Sequence, residues 1–237
     1  MIMRIFRRIV IVFIHWKIKY FNHSNGVLFD LIYRYKLWGD NGRHHLFSGT
    51  GSHAPECVKT HSDIFNLILE QFTDITSVLD VGCGDCNVSV HLFDSIKNYV
   101  GVDVSDLVIQ QNKSRFPYKT FLTLDATKDT LPKTHLIVLR QVLQHLSNED
   151  ISLLVSNCMR SSKYLLVTDA VPSKLTATNV DIFTGPNTRA RLGSSINLVQ
   201  HPFNFRFERV IDGGFCRHAG DIIETKFFVL NKKKEVN

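Results

Sequence analysis

The chain has 237 residues, 44% hydrophobic and 21% charged, which suits one α/β domain with additions and a full core. Its net charge of +6 collects at the two ends, in Arg4, Arg7, Arg8, Lys17, Lys19 and in Lys232, Lys233, Lys234. No basic stripe runs through the middle, which argues against nucleic acid as a partner.

The first 24 residues form a basic, apolar extension, and residues 25–237 form the domain. The longest uninterrupted apolar run of the extension, Ile9 to Ile14, is far short of the roughly 20 residues of a membrane span. No small-residue cleavage site follows, so a secretory signal is not indicated. Two readings of residues 1–20 stand: a helix carrying Trp16 on an anionic membrane surface, or a helix packed on protein. Five cysteines without framework spacing fit a reducing, cytoplasmic setting, peripheral to a membrane in the first reading.

An aromatic, Gly/Ser-rich stretch occupies residues 25–60. A helix is expected from about Ser62, with Thr60 or Ser62 as cap and Ile64, Leu67, Ile68 and Phe72 at helical spacing. Strands are expected at 77–82, 99–103, 119–124, 134–139 and 164–169, alternating with helices near 88–96, 105–114 and 148–159. The last helix opens on Ser147-Asn-Glu-Asp150, a capping-box pattern. Such alternation implies a doubly wound, mostly parallel, seven-stranded Rossmann-like sheet, closed by an antiparallel pair at 204–210 and 224–231.

The first strand runs into Gly82-Cys-Gly84, where glycine permits positive φ and close approach of a ligand. The expected helix after Asn87 places a helix N-terminus there. Nineteen residues beyond Gly84 the second strand ends in Asp103, positioned to accept hydrogen bonds from a ribose diol. The third glycine of the dinucleotide fingerprint is replaced by Asn87, and Asp85 in the loop suits a cationic group better than a diphosphate. A redox or zinc reading of Cys83-Gly-Asp-Cys86 leaves Gly82, Asp103 and Asp125 unexplained and lacks a second pair. His53, Cys57 and His61, with His44 and His45 nearby, sketch a metal site that Pro55 interrupts, and no metal is expected.

Leu79-Asp-Val-Gly-Cys-Gly-Asp85 resembles the first motif of class I S-adenosylmethionine (SAM) methyltransferases. The resemblance implies SAM as cofactor. It assigns Asp80, Gly82, Gly84 and Asp85 to the cofactor loop, with Asp80 ordering it. Asp103 and Val104 go to the ribose, Asp125 and Ala126 to the adenine, Arg140 to the cofactor site, and Gln141 to the cofactor's methionine end or the acceptor.

Further motifs narrow the likeness: Phe29-Asp-Leu-Ile-Tyr33, Leu37-Trp-Gly39, Ser48-Gly-Thr-Gly-Ser52, His145-Leu-Ser, Asn179-Val-Asp-Ile182 with Thr184-Gly185, Asn197-Leu198 and Pro202-Phe-Asn-Phe205. Together they are similar to a methyltransferase family found in bacterial surface-glycan clusters or fused to glycosyltransferases. The chain departs from it at Gln141, where an acid is usual, and at His45-Leu46, where Glu-Ser is usual. This resemblance implies O-methylation of a sugar hydroxyl of a glycan or its precursor. In that reading His145 is the expected base, with Asp181 the other candidate. Trp38, Ser48, Gly49, Gly51 and Ser52 are expected to form a lid on the acceptor. A methyltransferase for a lipid, small metabolite or protein, and an inactive SAM-binding subunit, are the alternatives.

Overall fold

The structure is a computed structural model that describes residues 24–42 and 46–231. The basic N-terminal segment, His44, His45 and the three C-terminal lysines lie outside the described residues. Four α-helices are described: α1 (Asn25–Arg34), α2 (Pro55–Gln71), α3 (Asp106–Arg115) and α4 (Asn148–Ser161). The strands are β1 (Ser77–Val81), β2 (Asn98–Asp103), β3 (Thr120–Thr123), β4 (Leu136–Arg140), β5 (Tyr164–Val171), β6 (Ala177–Thr178), β7 (Ser194–Ser195), β8 (Arg209–His218) and β9 (Asp221–Val229).

Seven of these strands form one sheet in the order β3-β2-β1-β4-β5-β9-β8, with β1 to β5 parallel and the last pair antiparallel. β6 and β7 make a separate small pair. The apolar runs of the central strands are explained by cover on both faces. Leu79, Val81, Ile137, Leu139, Leu165 and Val167 pack with α1 and α4. The alternate residues Val78, Leu136, Val138 and Leu166 pack with α2 and α3.

Local differences from expectation have physical causes. α2 begins at Pro55, not near Thr60 or Ser62, because proline at the first helical position has no N–H to leave unpaired. The helix expected near 88–96 is only a short 3₁₀ turn at Ser89–Leu92. Lys119 Nζ takes the carbonyls of Phe93 and Ile96 at 2.9 and 3.5 Å, acceptors that a continuing helix would have used. The outer edge strand starts at Arg209 rather than 204, since Phe205 instead bonds back to the Leu198 carbonyl at 2.9 Å. Cys57 and Cys216 are joined in a disulfide across 159 residues, which corrects the expectation of five thiols and removes the cysteine argument for a reducing compartment. Spacing along the chain carries no trace of a pairing made by packing α2 on β8.

Candidate active site

Between β1 and β4 the strand order reverses, and the carboxyl ends of the strands there open a crevice. A cavity of about 320 Å³ fills it. One end is built by the loops after β1, β2 and β3. Gly82 and Gly84 both take positive φ, +72° and +53°, and a Cβ on Gly82 would stand 2.5 Å from Val142. The amides of Gly82 and Cys83 bond to the Val102 carbonyl at 2.8 and 3.0 Å, fixing the loop against β2.

Asp103 lines this end and is buried. Its Oδ2 accepts from the Gly84 amide at 3.1 Å and its Oδ1 from the Ser105 amide at 2.9 Å. Burial still outweighs these bonds and raises its pKa to about 6. Val104, Asp125 and Ala126 continue the wall. Asp125 accepts from Thr127 through Oδ1, and its Oδ2 lies 3.3 Å from the Asn25 amide nitrogen. Asp80 also reaches the cavity, but its Oδ2 is taken by Ser89 and by the Tyr99 hydroxyl. It orders the loop.

Asp85 is held more firmly than a free ligand-binding acid. His53 Nε2 lies 2.6 Å from its Oδ2, which also accepts from the Ser48 amide at 3.1 Å. Burial pushes its pKa up, but the His53 bond and charge overcome that and hold it below the usual carboxylate range. Ser48 Oγ in turn accepts from the Asp85 amide at 2.8 Å and meets the Tyr33 hydroxyl at 3.1 Å. The Ser-Gly-Thr-Gly-Ser stretch is therefore clasped onto the cofactor loop. Its far side is held by Arg140, whose Nη2 donates to the Gly51 carbonyl and whose Nη1 donates to Ser52 Oγ, both at 3.0 Å. A Cβ on Gly51 would come within 2.8 Å of the Gln141 side-chain amide and displace it. Gln141 itself has φ +55° and donates its amide to the Thr168 carbonyl at 2.6 Å.

These residues fit SAM on their own chemistry. Asp103 presents a carboxylate where a diol is expected, and Asp125 faces the same end. Arg140 is buried against Asp80, Asp169 and Asp85, and burial lowers its pKa to about 10. Its Nε–H is buried with no partner among the described residues, a spare charged donor suited to a carboxylate.

At the other end lies His145, in a 3₁₀ turn (Leu143–His145) after β4. Its Nδ1 is 3.0 Å from the Asn187 carbonyl, which can only accept, so Nδ1 carries the proton and Nε2 is the basic nitrogen. Gln144 Nε2 sits 3.3 Å from that nitrogen. Burial lowers the His145 pKa to about 4, so the ring is neutral at pH 7. Trp38 covers it, with ring centroids 4.9 Å apart, and anchors its indole N–H on the Pro186 carbonyl at 3.3 Å.

Asp181 does not line the cavity and is corrected to a structural role. It is exposed, and its Oδ1 accepts from the Asn148 amide at 2.7 Å, at the first turn of α4. An acid there complements the positive end of the helix. His53, Cys57 and His61 go separate ways: to Asp85, to the disulfide, and to Thr168 at 3.3 Å. Cys83 and Cys86 are buried free thiols beside the loop.

Several lining residues escaped the sequence reading. Asn25, Phe29 and Tyr33 recur every four residues on α1, and this face closes the cavity. That i, i+4, i+8 signal was present, but it looks the same as core packing. Asp30, between them, accepts from Ser105 Oγ at 2.6 Å and so docks α1 on the start of α3. Arg191, His218 and Asp221 line the far end and carried no local signal.

Comparison with known proteins agrees with this geometry. Residues 79–163 match the family model described as a methyltransferase domain. Over 92 residues the chain is 31% identical to the mouse eEF1A lysine and N-terminal methyltransferase, a stretch covering 37% of this chain and 13% of that protein. The chain thus spans about an eighth of the length of the curated relatives it matches. Among solved structures it superposes on the N-methyltransferase NodS of Bradyrhizobium japonicum, bound to S-adenosylhomocysteine (SAH), with TM-score 0.58 and 13% identity over 81% of this chain and 94% of that one. It also superposes on the N-terminal domain of EvdMO1, crystallised in the presence of SAH and D-fucose, with TM-score 0.53 and 11% identity over 72% and 82%.

Proposed function

We propose that this chain, a class I SAM-dependent methyltransferase, places its methyl group on a hydroxyl of a carbohydrate, a glycan or its precursor. The observation that carries the acceptor reading is His145: a neutral imidazole, fixed with its basic nitrogen unprotonated, in the cavity wall at the end away from Asp103. SAM brings an already activated methyl on a sulfonium, so the protein must chiefly align a nucleophile and receive a proton.

A sugar hydroxyl would attack with an oxygen lone pair and become an oxonium as the new C–O bond forms and the methyl–sulfur bond breaks, with SAH the leaving group. That oxonium is a far stronger acid than an imidazolium, so His145 accepts its proton late in the step even with a pKa near 4. Trp38, tilted against His145, supplies an apolar wall for a sugar ring and excludes water. The clasped 48–52 segment holds Gln141 and Arg140 at the same junction. The sequence motifs shared with glycan-cluster methyltransferases and the fold likeness to a domain crystallised with D-fucose support a sugar acceptor.

A protein amine is the second reading, favoured by the 92-residue likeness to a lysine and N-terminal methyltransferase. The guanidinium of Arg191 in the cavity wall opposes it, because it repels an ammonium acceptor, whereas Arg140 is already countered by Asp80, Asp85 and Asp169. Deciding between these needs purified protein, labelled SAM and separate panels of sugars, peptides, lipids and small metabolites. Transfer to sugars is expected, and transfer to peptides alone would overturn the reading. Methyl transfer by the isolated chain also excludes the inactive-subunit alternative. His145→Ala is expected to lower turnover by about 10²–10⁴ while leaving SAH affinity within a few fold.

A further inference from the structure

The charged groups of the cavity come from different parts of the chain. Asp80 and Asp103 stand in β1 and β2 and Asp85 and Asp125 in the loops after β1 and β3, with Arg140 set against Asp80 and Asp85. The rest of the wall carries Arg191, His145 and His218 against one acid, Asp221. Asp221 is partly occupied, since its Oδ1 accepts from the Ser173 amide at 3.3 Å.

Two of these cationic or titratable groups are presented on braced supports. Arg191 stands in a 3₁₀ turn (Arg189–Leu192) whose first residue, Arg189, is almost fully buried. Arg189 donates to the carbonyls of Val180 and Leu143, both at 2.9 Å, and to Asn148 Oδ1 at 2.8 Å. This locks the segment to the turn that carries His145. Among the described residues Arg191 has a single long bond, to Asn187 Oδ1 at 3.4 Å, which leaves most of its fork free. His218 ends β8 at the tight turn Ala219–Gly220, where both residues take positive φ (+51° and +90°). Its Nε2 meets Thr50 Oγ1 of the lid at 3.0 Å. Arg191 is exposed and His218 half-buried, as expected for groups at a mouth rather than in a core.

From this arrangement we infer that the acceptor carries a phosphate group, held at the cavity mouth by Arg191 and His218 while its reacting hydroxyl reaches His145. The inference deepens the carbohydrate reading by making the acceptor a phosphorylated sugar, on either a nucleotide or a lipid carrier. An arginine fork with most donors free matches phosphate oxygens.

The test uses the full chain saturated with SAH and inorganic pyrophosphate as the probe, measured by calorimetry at fixed ionic strength. Pyrophosphate is expected to bind, and R191E to weaken it about tenfold or more, with R191Q intermediate and SAH affinity unchanged. With labelled SAM, a sugar 1-phosphate is expected to give a kcat/KM at least about tenfold above its neutral methyl glycoside. Pyrophosphate binding untouched by R191E, or equal turnover of the two sugars, overturns the phosphate inference and leaves the carbohydrate reading standing. Arg191-dependent pyrophosphate binding with neither sugar methylated upholds the phosphate site and overturns the carbohydrate reading. Comparing a nucleotide-linked with a polyprenyl-linked sugar then separates the two carriers.

Discussion

If Asp103 holds the ribose as proposed, it gives cofactor binding a pH dependence of fixed sign. Its carboxyl is buried and carries a pKa raised to about 6, while an exposed carboxyl titrates near 4. A ribose diol donates two hydrogen bonds, which only the ionised form accepts well. SAH affinity should therefore be flat above pH 6 and fall about tenfold for each unit below it, about 1.4 kcal/mol per unit. Asp103→Asn keeps the shape but replaces one of two acceptor oxygens, each of which takes a backbone amide, by an NH2 donor. Two bonds of about 1.5–3 kcal/mol become bonds of about 1, so SAH binding weakens by about 2 kcal/mol, roughly thirtyfold, and loses its pH dependence.

The apoprotein responds with the opposite sign. Because the folded pKa lies above the unfolded one, the stabilisation linked to Asp103 is present at low pH and lost as pH rises through 6. Ionised Asp103 thus costs the empty protein on the order of 3 kcal/mol at pH 7. D103N should then melt without ligand near the wild-type temperature at pH 7, relief of the buried charge offsetting the one backbone amide that loses its acceptor, while calorimetry shows the weaker, pH-independent binding. If D103N instead melts well below wild type and binding is lost with the fold, Asp103 is a structural brace for Gly84 and Ser105, and the reasoning is wrong.

Asn179, at φ +58°, donates to the carbonyls of Asn197 and His201, both at 2.9 Å, and accepts from the Asn197 amide at 2.7 Å. Asn179→Ala should destabilise by about 2–4 kcal/mol in denaturant melts, since buried partners are left unpaired. Replacing Cys57 and Cys216 together by Ser should lower stability by about 2–5 kcal/mol, and a reducing agent should shift the wild-type melt but not the variant's. His61 and His145 are held neutral by burial, at about 3 and about 4, below the roughly 6.5 of an exposed imidazole. Their contribution is full above pH 6.5 and lost as pH falls toward 4, so His145→Gln should flatten the fall of Tm in that range.

Much of the cofactor end was legible because its determinants are local. A strand, a glycine loop and an acid at the next strand's end are read from adjacent residues, and Asp103 stands where the spacing put it. Ser147 caps α4 as its pattern implied, its Oγ accepting from the Asp150 amide at 3.1 Å. The acceptor end was less legible because it is assembled from residues far apart in sequence. Thr50 meets His218 across 168 positions, and Trp38 meets Pro186 across 148. Asp181 misled for a related reason: a carboxylate in a polar loop looks the same whether it serves a substrate or a helix terminus. The Phe29-Asp-Leu-Ile-Tyr33 motif mixed three roles, with Phe29 and Tyr33 in the cavity wall, Asp30 at the start of α3 and Ile32 in the core.

The central claim is methyl transfer from SAM to a sugar hydroxyl. Its most direct measurement is a proton–carbon NMR spectrum of a sugar incubated with the full chain and SAM carrying a ¹³C-methyl. The account predicts a new methoxy signal on the sugar that disappears with His145→Ala. SAH binding by calorimetry, together with no methoxy signal on any sugar and a methylated amine on peptides, would contradict it.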